Sequence, residues 1–145
     1  MPQSPVAAFE TTMNKTHEWL KEVADAGGFT GEPQAYSALR AVLHAIRDRL
    51  TVDEAAHLGA QLPMLVRGFY FEGWKPAASP HRERTWDEFV QNVRESLRGN
   101  PMIEPERAIE ATFRVLDQRI TIGEINDIKR MLPQEVREHW IYAHA

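Results

Sequence analysis

The 145-residue chain aligns with itself at a constant offset of 70, without a gap, over residues 16–70 and 86–140. Identical pairs are Glu18/Glu88, Val23/Val93, Ala38/Ala108, Ala41/Ala111, Arg49/Arg119, Thr51/Thr121, Glu54/Glu124, Leu62/Leu132, Pro63/Pro133, Val66/Val136 and Arg67/Arg137. Apolar pairs keep the same register, among them Trp19/Phe89, Leu43/Phe113, Leu50/Ile120 and Tyr70/Trp140. Chance would not align core positions, caps and prolines together. The expectation is an all-α helical bundle built from two tandem copies of a four-helix unit, related by a pseudo-twofold. The copies span about residues 16–74 and 86–142, with a linker over 75–85, and the whole chain 1–145 forms a single compact domain. Two copies are fewer than the three or more that a solenoid needs.

Within each copy the spacing predicts four helices. The first carries Trp19, Leu20 and Val23, or Phe89, Val90 and Val93. Its start in the second copy is the Thr85-x-x-Glu88 capping box; in the first copy Ser4-Pro5 gives an earlier start, with Phe9 and Met13 extending the stripe. Gly27-Gly28 and Gly99 are expected to close these helices. The second helix has Tyr36, Leu39, Leu43, Ile46 and Leu50 at 3-4 spacing, matched by Ile109, Phe113, Leu116 and Ile120. Pro33 and Pro105 stand at its starts, and Arg47, Arg49 and Arg119 in its closing turns suit the helix dipole. The third helix opens with Thr51-x-x-Glu54 or Thr121-x-x-Glu124, both capping boxes, and places Val52, Ala55, Leu58 and Leu62 against Ile122, Ile125, Ile128 and Leu132. Pro63 and Pro133 begin a short fourth helix with Val66 and Tyr70, or Val136 and Trp140, in the core. Nothing alternates with period two for strand length, so no sheet is expected.

Composition narrows the function. The chain has globular proportions, 43% hydrophobic and 26% charged, which sets disorder aside. Asp and Glu outnumber Lys and Arg by 21 to 17, so a general phosphate binder is not expected. The absence of cysteine removes disulfides and thiolate chemistry. No secretory signal pattern opens the chain and no apolar run approaches membrane-spanning length, so the expected setting is cytoplasmic.

The segment from Ala38 to Thr51, then Glu54 to Pro63 with its Gln61-Leu62-Pro63, Arg67-Gly68, Tyr70, Gly73-Trp74 and Pro76, resembles the bacterial family catalogued as domain of unknown function 2267. Gly123-Glu124-Ile125 and Leu132 to Arg137 extend the likeness, which covers about residues 15–141. The resemblance implies an all-helical bacterial domain and brings no activity, substrate or catalytic residue. Residues 1–14 depart from it.

Glu54-x-x-His57 has the spacing that puts a carboxylate and an imidazole on one helix face in di-iron bundles. Its register partner ends in Asp127 rather than histidine, and capping accounts for both glutamates, so neither a metal nor a cofactor is expected. Arg67 and Arg137 occupy equivalent places, readable as paired anion ligands or as helix-end bonds within each copy. The serines stand in no nucleophile elbow and no glycine-rich phosphate loop is present, so no catalytic residue is assigned. The six histidines read as solvated or hydrogen-bonded. Lys75, His81, Arg82 and Arg84 lie beside Trp74 and Trp86, but Glu83 and Asp87 interrupt the basic run, so nucleic acid is not an expected partner.

Phe69, Tyr70 and Phe71 are consecutive and span about 200° of a helix. Tyr70 takes the core position, leaving Phe69 and Phe71, with Trp74, as the candidate interaction surface. The expected function is a non-enzymatic protein-interaction module that meets another protein chain, most simply in a homodimer; a link to stress is implied only by the family resemblance. The alternative is an enzyme or a small-ligand or metal-binding protein using Glu54 and His57, with Arg67 and Arg137 nearby.

Overall fold

Leucine and isoleucine stripes interleaved with alanines make two helices that can be enclosed on most sides. The computed structural model, which describes residues 5–143 and side chains through residue 140, places those two helices against each other. Eight α-helices follow in order among the described residues, with no strand: α1 (Ala7–Gly27), α2 (Glu32–Arg47), α3 (Val52–Ala60), α4 (Met64–Phe71), α5 (Trp86–Ser96), α6 (Pro105–Arg119), α7 (Ile122–Met131) and α8 (Gln134–Ala143). A single 3-10 turn, Pro76–Ala78, lies in the linker. Both α1 and α5 pack on α2 and on α6, α4 rests on α1, α2 and α3, α8 rests on α5 and α6, and α3 meets α7.

Leu39, Leu43, Ile46 and Leu50 are fully enclosed, as are Phe113 and Leu116. Ala35, Ala38, Ala41 and Ala45 are buried beside them, as are Ala108 and Ala111. The stripe alone implies one buried face; the alanines extend burial around the helix. The predicted core positions of the short fourth helices hold, since Val66, Tyr70, Val136 and Trp140 are completely buried. The Tyr70 hydroxyl donates to the Ala55 carbonyl at 2.8 Å, and Trp140 Nε1 donates to Asp117 at 3.0 Å. Each buried ring therefore keeps its polar atom satisfied.

Several local expectations are corrected. Ser4 lies outside the described residues, and the cap position of α1 falls on Val6, which offers no side-chain oxygen. Gly28 closes α1 in the left-handed region at φ 67°, whereas α5 closes at Leu97 and Gly99 has no positive φ. Tyr36, Val52 and Ile122 are exposed rather than core. Val52 and Ile122 are the first residues of α3 and α7. Arg47 does not serve its own helix end. Its guanidinium Nη1 donates to the carbonyls of Tyr70 at 2.7 Å and Glu72 at 2.9 Å, closing the end of α4, while Nε donates to Asp48. His44 joins it, 2.7 Å from the Phe69 carbonyl. A carbonyl only accepts, so the His44 ring carries its proton on Nε2. Burial holds the His44 pKa below the ordinary histidine value.

Candidate functional site

The third helices carry the chemistry. Thr51 Oγ1 accepts from the Glu54 amide at 3.2 Å and Thr121 Oγ1 accepts from the Glu124 amide at 3.3 Å, so both threonines are N-caps. The reciprocal half of the capping box is absent at both places. Glu54 and Glu124 do not return to the threonine amides, contrary to the motif. The Thr121 amide instead donates to Gln61 Oε1, which reaches across from the end of α3. Only Thr85 and Glu88 complete the box, with Glu88 Oε1 accepting from the amides of Thr85 and Arg84 at 3.1 Å each.

Released from that duty, Glu54 and Glu124 turn into the contact between α3 and α7. Both residues are more than nine-tenths buried. One ligand atom from each, together with a ring nitrogen of the exposed His57, lies within 4.8 Å of the others. His57 Nδ1 is 4.0 Å from Glu54 Oε1. Glu54 Oε2 and Glu124 Oε2 are buried without any hydrogen-bond partner. The electrostatics separate Glu124 from the acid of the true capping box. The Thr85 amide, with the Thr85 hydroxyl and the Arg84 amide, holds the Glu88 carboxyl below the usual range. Burial first, and then the neighbouring Glu54, push the Glu124 carboxyl up to about 8. Asp127, the register partner of His57, pairs with Arg130 and stays outside the cluster.

Arg67 and Arg137 stand away from this chemistry. Arg67 donates to the carbonyls of Gly59 at 3.0 Å and Leu62 at 3.1 Å, and Arg137 donates to the Lys129 carbonyl at 3.4 Å. They tie the third and fourth helices together within each half, as the helix-end reading has it.

Phe69, Phe71 and Trp74 do not form an uncovered strip. Phe69 is buried and receives Tyr36 edge-on with ring centres 5.1 Å apart. Phe71 lies between Tyr70 and Trp74, at centre distances of 4.8 and 5.3 Å. The linker turns back onto the last ring of this stack, where Trp74 Nε1 donates to Ser79 Oγ at 3.2 Å. Ile141, the register partner of Phe71, has its side chain outside the described residues.

The stack depends on a gap at Gly59, where an added Cβ would stand 2.5 Å from Phe71 Cζ. Gly59→Ala is therefore expected to cost about 1–3 kcal/mol, as overpacking does. Gly68→Ala, with nothing within 4 Å on the same short helix α4, is expected to gain about 0.5–1 kcal/mol. Chemical denaturation of the two variants checks the opposite signs.

One exposed apolar surface lies on the neighbouring face of α4, a place the motif reading missed. Met64 and Leu65 of α4, with Phe9 and Met13 of α1, are each about half exposed. Met13, Leu20, Tyr36, Leu65 and Phe69 line a groove of about 430 Å³ between α1, α2 and α4. The middle of α1, from Met13 to Leu20, builds one wall of it. Thr12 Oγ1 also accepts from the Leu65 amide at 2.8 Å and so caps α4. The available signal was the register: Met64 and Leu65 align with Gln134 and Glu135, an apolar-for-polar exchange. In the second half Glu135 accepts from the Trp86 amide at 2.8 Å instead.

His81 of the linker and the two tryptophans beside it have partners within the chain. Trp86 stacks on His139 with centres 3.5 Å apart, and Glu83 lies 4.0 Å from both Arg49 and His81. Among the described residues no helix is long and apolar enough to cross a membrane.

No curated protein matches the chain. The model of one family, described as uncharacterized conserved protein (DUF2267), matches residues 16–139, from the middle of α1 into α8, and the chain belongs to that family.

Proposed function

We propose that this chain is a non-enzymatic protein-interaction domain of the bacterial cytoplasm, and that it associates with a second copy of itself through the α1–α4 face. The observation that carries the reading is the row of exposed Phe9, Met13, Met64 and Leu65 beside the 430 Å³ groove. Contiguous apolar surface of this kind marks association sites on soluble proteins. The earlier aromatic candidates give way to these four residues. A stress link rests on the family resemblance alone.

Sedimentation velocity over a range of concentrations tests it, comparing wild type with the double variant Met13→Glu, Leu65→Glu. Both positions are half exposed, so the variant is expected to fold and to remain monomeric where wild type dimerises. A wild type that stays monomeric at every concentration, or a variant that dimerises equally well, ends the self-association reading.

The architecture is proposed to be a tandem duplication of a four-helix unit. Contacts exchange between the halves in support of it. Gln61 meets Thr121, and its register partner Met131 accepts from Thr51 Oγ1 at 3.7 Å. Arg67 bonds Gly59, and Arg137 bonds Lys129, the partner position. Such reciprocity is what a twofold relation produces. An experimental structure in which residues 16–70 and 86–140 fail to superpose by a near-twofold rotation would overturn it.

A further inference from the structure

We propose that Glu54, Glu124 and His57 form a binding site for one divalent transition-metal ion, clamping α3 to α7. Three observations lead there. One ligand atom from each of the three residues already lies within 4.8 Å of the others, in a cluster drawn from two helices 70 residues apart in sequence. Independently, Glu54 Oε2 and Glu124 Oε2 are enclosed with no amide, hydroxyl or cationic donor. Buried carboxylate oxygens are ordinarily hydrogen-bonded, and two such acids brought together without a donor call for a positive centre or a proton. Finally, no arginine or lysine hydrogen-bonds to either of those oxygens. Of the arginines near the ends of α3 and α7, Arg67 is bound to Gly59 and Leu62, Arg137 to Lys129, and Arg130 to Asp127.

The donor set selects the class of ion. Two carboxylate oxygens and one imidazole suit zinc, manganese or ferrous iron better than calcium or magnesium, which favour oxygen alone. Donors around a tetrahedral ion at about 2.1 Å stand roughly 3.4 Å apart. The Glu54–His57 separation of 4.0 Å needs to close by only about half an ångström on that scale. His57 is free to make that movement, because its side chain is 68% exposed. Three protein ligands leave at least one position for water. The sequence hinted at this arrangement through Glu54-x-x-His57. The missing second histidine argued against a two-metal centre, and it does not argue against a single ion held across the two halves.

The test uses the full chain, with Zn²⁺ as the probe. Isothermal titration of chelator-treated protein is expected to give one Zn²⁺ per chain. Zn²⁺ is expected to raise the melting temperature, and Mg²⁺ at the same concentration is expected to leave it unchanged. Glu124→Gln and His57→Ala are each expected to weaken Zn²⁺ binding at least tenfold. Both variants should fold, since one keeps the shape of a buried side chain and the other alters an exposed one; circular dichroism establishes this. No stoichiometric Zn²⁺ binding, or binding unchanged in both folded variants, overturns the proposal. In that case the two carboxylates share a proton and nothing more.

Discussion

Glu124→Gln is expected to make the metal-free protein more stable near pH 8, by about 2 kcal/mol, and to change it little at pH 4. The sign follows from the direction of the shift. In the unfolded chain Glu124 loses its proton near the ordinary value of 4.5, and in the folded chain it keeps the proton up to about 8. Below 4.5 both states are protonated and the group contributes no penalty. Between 4.5 and 8 the unfolded state releases a proton that the folded state retains, so stability falls as pH rises through this window. Above 8 the loss is complete. Each pH unit is worth 1.4 kcal/mol at most, and water reaching the pair from the His57 side reduces the total. Glutamine keeps the shape and removes the titration. Melting curves from pH 4 to 9 in the presence of a chelator check it. The expected gain at pH 8 is about 6 °C, and curves that stay parallel for the two proteins would refute the burial of the acid pair.

Arg47→Met is expected to have the largest destabilising effect, about 3 kcal/mol, or about 10 °C in melting temperature. The methionine retains most of the apolar stem and leaves the Tyr70 and Glu72 carbonyls without their charged donor. Asp48 loses its partner as well. Arg40→Met is the control. Arg40 pairs with Glu72 at 3.0 Å but lies at the surface, where such pairs contribute about 0–1 kcal/mol. Comparable losses in the two variants would mean that the α4 carbonyls find other donors.

These effects also show which parts of the molecule the sequence made legible. The stripes of α2 and α6, the prolines that open α4 and α8, and the threonine caps were readable because each depends on spacing within one element. The direction of Glu54 and Glu124 was not. A capping box specifies two amides and their acceptors locally, and Gln61 arriving from another helix took one of those amides. The same kind of tertiary choice moved Arg47 from its own helix end to that of α4. Three consecutive aromatics are too many for one face of a helix. What covered them was the space at Gly59 and the returning linker, neither of which has a periodic signature. The exposed row at Met13 and Leu65 was hidden for a different reason: Met13 precedes the aligned stretch, and Leu65 aligns with the polar Glu135. Of the acid cluster, Glu54 and His57 were readable as a spacing, and Glu124 could join them only once α3 and α7 were known to touch.

The way α1 packs has a bearing on how the polypeptide holds together if it is cut. Helix α1 lies against α2 of its own half and also against α6 of the other, and α5 lies against α6 and α2 in return. Arg119 of α6 reaches Glu18 and Glu22 of α1 across the same boundary. Each half thus supplies walls for the interior of its counterpart, and neither encloses its own apolar residues alone. The covalent connection through residues 75–85 is, by comparison, a thin strand anchored by the His81 amide on the Asp48 carbonyl. A protease that nicks it near Arg82–Arg84 should leave two fragments that travel as one particle and separate only in denaturant. Co-expressed as separate chains, the same two pieces should reassemble, which makes this boundary a natural place to divide the protein into a complementing pair.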